Sequence, residues 1–71
     1  MNGARSADRY LTTAEFAELT RIPEGTIRQW RHRQYGPTGI KMGRAVRYRL
    51  STIEAWIKEC ERAEADRRVP A

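Results

Sequence analysis

Pro23 divides the front half of this chain into two short helical patterns, neither long enough to be stable alone. Upstream, Thr12-Thr13-Ala14-Glu15 has the spacing of a capping box, with Thr12 as N-cap and Glu15 three residues on. The helix that follows is expected over about residues 13–19, with Phe16, Leu19 and Thr20 on one side. Arg21-Ile22 makes a tight turn. Pro23 suits the first position of a second helix, where its missing N–H costs nothing. That helix is expected to run to about Arg33 and to stop before Gly36-Pro37.

Beyond Gly39 the period changes from that of a helix to two. Ile40 and Met42 alternate with Lys41, and Val46, Tyr48 and Leu50 alternate with Arg47 and Arg49. A Gly43-Arg44 turn joins the two halves, which predicts a β-hairpin with apolar residues inward and bases outward. Ser51-Thr52-Ile53-Glu54 is a second capping box and opens a third helix. Its apolar stripe is Ile53, Trp56, Ile57 and Cys60, and it should continue to about Arg67. Glu54–Lys58, Lys58–Glu61, Glu59–Arg62 and Glu64–Arg68 are opposite-charge pairs at helical spacing. The expected fold is α+β and mostly helical: a helix-turn-helix followed by a two-stranded wing and a third helix.

The chain has 71 residues, enough for one domain and one small core. Candidates for that core are Leu11, Phe16, Leu19, Ile22, Ile27, Trp30, Val46, Tyr48, Leu50, Ile53, Trp56 and Ile57. Residues 1–9 are polar and aperiodic and read as a disordered arm. Residues 10–60 form the folded domain, and residues 61–71 a helix extension with a flexible tail. Cys60 is the single cysteine, so no internal disulfide can form, and a reducing cytoplasm is the expected compartment. No apolar run reaches membrane-spanning length, and the start of the chain lacks the apolar segment of a signal peptide.

Net charge is +5, and its distribution is uneven. Residues 1–20 carry two bases against three acids, and residues 51–71 four bases against five acids. Residues 21–50 hold eight bases against the single Glu24. The middle of the chain therefore carries the whole positive field, which points to a polyanionic partner.

On the second helix, Ile27 and Trp30 set the inward direction. At about 100° per residue the opposite side falls on Gly25, Arg28, Gln29 and His32, with Thr26 and Arg33 flanking. Arg pairs bidentately with guanine and Gln with adenine in the major groove. Gly25 lets the helix start approach a phosphate, which the free N–H groups there favour. A polar helix face alone is as often merely solvated. The basic hairpin that follows supplies a second contact, to phosphates or the minor groove, through Lys41, Arg44 and Arg47. Double-stranded DNA is the expected partner.

The segments Tyr10-Leu11-Thr12-Thr13-Ala14-Glu15-Phe16-Ala17 and Ile22-Pro23-Glu24-Gly25-Thr26-Ile27-Arg28-Gln29-Trp30 resemble the MerR-like helix-turn-helix, and within it the excisionase subfamily. The wing from Lys41 to Tyr48 and the closing stretch from Leu50 to Ile57 resemble that subfamily too. The similarity covers residues 10–57. It implies a recombination directionality factor of a temperate phage, of actinobacteriophage type, without chemistry of its own. Such a factor binds and bends attachment-site DNA beside a tyrosine integrase and favours excision. Arg28 and Gln29 map onto the groove-facing helix, and Arg44 and Arg47 onto the wing. One departure is Pro23, where the family often has a capping Ser or Thr. It leaves open which of Glu24 and Thr26 touches DNA.

Other residues read more plainly. His32 and Cys60 are each alone, so a zinc site would lack ligands, and no cofactor or catalytic pair is expected. Cys60 reads as a small buried hydrophobe, and Trp30 and Trp56 as core. Two further functions compete with the excisionase reading. One is a small transcriptional regulator of the same fold; a ligand-sensing MerR regulator is not expected, since the pattern shows no effector domain. The other is a protein–protein adaptor whose basic face docks an acidic partner. The third helix beyond Ile57 adds the expectation of head-to-tail assembly on DNA, with Glu59, Glu61 and Glu64 meeting the next copy's hairpin.

Overall fold

Thr12 opens the first helix in the computed structural model, which describes residues 8–67. The Glu15 amide donates to Thr12 Oγ1 at 3.0 Å, and the Thr12 amide donates to Glu15 Oε1 at 2.9 Å. The capping box is thus complete, and α1 runs Thr13–Thr20. Arg21 stops it in the left-handed region, at φ 62°, with its amide returned to the Ala17 carbonyl at 2.7 Å. Helix α2 follows at Glu24–His32. Pro23 is its N-cap rather than its first residue, with φ −56° and ψ 140°, and contributes no side-chain cap. Its carbonyl still accepts from the Thr26 and Ile27 amides.

The hairpin forms where expected, as β2 (Ile40–Met42) and β3 (Ala45–Arg49) around a Gly43-Arg44 turn. Gly43 has φ 63°, a conformation that an L side chain adopts at a cost. The sheet has one strand more than the predicted wing. Tyr10–Leu11 forms β1 and pairs antiparallel with β3, giving the order β1-β3-β2.

The register corrects the expected inward set of the hairpin. The two-residue turn places Met42 opposite Ala45, Lys41 opposite Val46 and Ile40 opposite Arg47. Directly paired residues share a face, and faces alternate along a strand. Lys41 therefore lies on the same face as Val46 and Tyr48, while Ile40 and Met42 share the other face with Arg47. Met42 is accordingly exposed. Each strand alternates as its sequence suggests, but the two alternations are out of phase across the turn.

Five side chains form the buried core: Leu11, Phe16, Ile27, Tyr48 and Ile53. One comes from each of β1, α1, α2, β3 and α3. Ala17, Ile22, Trp30, Val46, Leu50, Trp56 and Ile57 pack around them. Leu19, expected inside, is 50% exposed. The inner face of α1 is Thr13, Phe16, Ala17 and Thr20, and Leu19 falls about 60° outside that arc.

Helix α3 spans Leu50–Arg67, starting two residues earlier than the Ser51 cap implies. Ser51 lies inside the helix, and the end is closed from the far side of the sequence. The Leu50 amide donates to the Arg9 carbonyl at 2.7 Å, and the Ser51 amide to Asp8 Oδ1 at 3.0 Å. The Ser51 hydroxyl donates to Asp8 Oδ2 at 3.1 Å. Asp8 and Arg9 thus belong to the fold, not to an arm, while residues 1–7 lie outside the described residues. After Ile57 every described residue of α3 is exposed, Cys60 included. Cys60 is therefore not the buried hydrophobe its place on the stripe suggests, because α3 has already run past the core. Arg62 pairs with Glu59, and Arg67 with Glu64 at 2.9 Å. Arg67 takes the place expected of Arg68, which lies outside the described residues.

The Asp8 clasp has a pH signature. The Ser51 amide foremost, then the Arg49 guanidinium and the Ser51 hydroxyl, hold the Asp8 carboxyl below its ordinary value. A lowered native value means the contribution is complete above the ordinary aspartate range of about 3.9. It fades as pH falls through the native value. Asp8→Asn is expected to lower the melting temperature at neutral pH. Its melting temperature should also fall less than the wild type's between about pH 5 and about pH 3. Parallel pH-melting curves for the two proteins would show that the clasp is absent.

Candidate nucleic-acid interface

The two helices of the helix-turn-helix pack on each other through Phe16 and Ile27, and the opposite side of α2 is open. Gly25, Arg28, Gln29, His32 and Arg33 are all exposed, and Thr26 is half-buried at the edge of the packed side. A Cβ placed on Gly25 would meet nothing within 4 Å, so the helix start is unobstructed. Arg33 is the C-cap residue, its amide returned to the Gln29 carbonyl at 3.1 Å.

Arg28 has a partner on this face that the sequence analysis did not include. Its Nη1 donates to Glu24 Oε2 at 2.9 Å, one turn earlier, with both side chains about half exposed. A surface pair at this spacing is worth only about 0.3–0.5 kcal/mol. A guanine edge or a phosphate competes with it easily. Glu24 meanwhile holds the guanidinium over the exposed face of α2.

On the wing, Lys41 and Arg44 are exposed, with Arg44 in the turn itself. Arg47 is half-buried, and its Nη1 donates to the Val46 carbonyl at 2.9 Å. Lys41 and Arg47 lie on opposite faces of the hairpin by the register above. Trp30 and Trp56 sit 5.5 Å apart between ring centroids, and Tyr35 lies against both, at 5.2 Å and 6.4 Å. The tryptophans are thus committed to packing.

Two residues outside the expected set are placed by the fold. Arg49 stacks over the Tyr10 ring at 4.9 Å and pairs with Asp8 at 3.2 Å, so this base is structural. Arg31, half-buried on α2, donates from Nη1 to the Tyr48 hydroxyl at 3.1 Å. No periodicity signals either contact, since each joins residues far apart in sequence.

Among the described residues, no group of three or more His, Cys, Asp and Glu side chains is arranged to hold a metal. No helix among them is long and apolar enough to cross a membrane.

The fold defines a winged helix-turn-helix, a DNA-binding class in which the second helix enters the major groove. The chain belongs to the helix-turn-helix domain family, whose model matches residues 10–61. Domains of this family are typically non-enzymatic. No curated protein and no solved structure matches the chain.

Proposed function

We propose that the chain is a sequence-specific DNA-binding and DNA-bending excisionase of MerR-like type, from a phage, that turns a tyrosine integrase toward excision. The observation that carries the DNA part is the open face of α2, where Arg28, Gln29, His32 and Arg33 stand together beside an unobstructed Gly25. In this reading Arg28 and Gln29 meet base edges, and Gly25 and Thr26 let the helix start approach a phosphate. His32 and Arg33 reach the far side of the groove. Lys41, Arg44 and Arg47 contact the backbone or the minor groove. The excisionase part is supported by the resemblance of residues 10–57 to that subfamily. The site of action is then the bacterial cytoplasm, on the nucleoid. A transcriptional regulator of the same fold is the alternative.

Wing charge adds affinity more than sequence choice in this arrangement. Arg44→Ala is expected to weaken binding to preferred and random duplexes by similar factors and to flatten the salt dependence. Competition titrations check this, and an altered base preference would count against it.

The exposed end of α3 supports head-to-tail assembly along DNA. Glu61 is exposed there, and the Glu59–Arg62 and Glu64–Arg67 pairs are surface pairs of low strength. These acids can meet the basic wing of a following copy, a heterologous contact that propagates. Gel shifts on DNA with one, two and four sites should show rising affinity per site and a growing bend. Equal affinity per site without added bend would remove the assembly.

The decisive experiment adds the chain to attachment-site DNA with a tyrosine integrase encoded beside it. Excision should rise and integration fall. An unchanged direction of recombination, together with repression of a nearby promoter, would favour the regulator.

A further inference from the structure

Arg31 stands next to Ile27 on the wheel of α2 and turns from the open face toward the sheet. It is half-buried, and among the described residues its guanidinium donates to the Tyr48 hydroxyl alone, at 3.1 Å. A guanidinium has five N–H donors, so most of its capacity is unspent. Among the described residues it makes no ion pair with a carboxylate. A half-buried cation without a counter-charge is costly, and an anion that reaches it is correspondingly favoured.

Beside it lies a cleft of about 400 Å³, lined by Arg31, Gln34, Tyr35, Gly36, Thr38 and Gly39 together with Pro37. No acidic residue lines it. Gln34 and Gly36 take left-handed conformations, at φ 56° and 86°, and carry the chain around the rim. The floor is rigid. Tyr48 is 1% exposed and held edge-on by Phe16 at 4.9 Å. On its other flank the chain passes so close at Gly39 that a Cβ there would lie 3.2 Å from the ring. The hydroxyl that orients Arg31 is therefore fixed by the core.

We propose that this cleft, between the C-terminal end of α2 and the foot of the wing, seats one phosphodiester of the DNA backbone. Arg31 supplies the charge, and Tyr48 is the positioning residue. This rests on the DNA-binding reading and adds a residue that the exposed face of α2 does not include. The phosphate would sit between the groove-facing helix and the wing, fixing the register of both on the duplex.

The test uses a random-sequence duplex titrated over a series of salt concentrations, with Arg31→Ala, Arg31→Lys and Tyr48→Phe compared with the wild type. Arg31→Ala should weaken binding about five- to tenfold and lower the slope of log Kd against log salt by about 0.9, one phosphate's worth. Arg31→Lys should restore the slope but not the full affinity, because ammonium lacks the fork. Tyr48→Phe should keep the slope and weaken binding about two- to threefold, roughly the loss of one positioning contact. Thermal melts monitor folding, and Arg31→Lys carries the test should Arg31→Ala unfold. A wild-type slope and affinity in Arg31→Ala, while Arg44→Ala is impaired, would overturn the phosphate seat and leave DNA binding intact. Absence of DNA binding by the wild type would overturn both. In a DNA-free arm, inorganic phosphate is titrated while the Arg31 Nε–H resonance is followed. Saturation there, with DNA affinity untouched by the variants, would assign the cleft to a free anion and overturn the backbone assignment.

Discussion

Phe16→Ala is expected to leave no cooperative thermal transition. Phe16 is fully buried and is the one buried side chain of α1. Its ring meets Tyr48 at 4.9 Å and Trp56 at 6.3 Å, so it joins α1 to both β3 and α3. Truncating a buried phenylalanine costs about 3–5 kcal/mol. A domain of this size has a net stability of about the same magnitude, roughly 3–5 kcal/mol. The helix-turn-helix would lose its anchor to the sheet. Leu19→Ala, three residues on but half exposed, should shift stability by only about 0.5 kcal/mol. Circular dichroism melts of the two variants separate these outcomes. A cooperative Phe16→Ala melt close to the wild type's would mean that α1 does not pack as described.

Arg28→Ala should do the reverse, sparing the fold and weakening sequence-specific binding by about 1–3 kcal/mol. Its side chain is 54% exposed, and its only side-chain partner among the described residues is Glu24 on the same helix. Losing that pair costs the fold about 0.3 kcal/mol, within the noise of most melts. The loss in binding should fall on the preferred sequence and spare random duplexes, because a base contact discriminates where a phosphate contact does not. Melting and competition titration on the same preparation check both halves. A collapsed melting temperature with unchanged specific affinity would mean that α2 faces the other way.

The parts of the fold legible in the sequence are those set by neighbours. Thr12 and Glu15 form the capping box their spacing describes, and Gly43 turns the hairpin between the two alternating runs. What sequence reasoning missed is non-local. Strand β1 has two residues, too few to show any period, and exists only because β3 offers it an edge. Asp8 caps a helix 43 residues away, while the local signal at Ser51 points to a cap that the structure does not use. The inward face of β2 depends on the register across the turn, which alternation within one strand does not encode. At the candidate interface, the exposed face of α2 followed from Ile27 and Trp30 alone. The Arg31–Tyr48 contact did not, since a base beside an apolar stripe gives no sign of the hydroxyl it will meet.

Selection of bound duplexes from a random-sequence pool, followed by titration of the enriched sequence against random DNA over a salt series, bears on the whole DNA reading. Binding of both should weaken steeply as salt rises, and one motif should emerge, bound at least about a thousandfold more tightly than random sequence. In Arg28→Ala that preference should drop while the salt slope stays close to the wild type's. Enrichment of no motif, or binding to DNA that is insensitive to salt, would contradict a groove-reading α2 flanked by a basic wing.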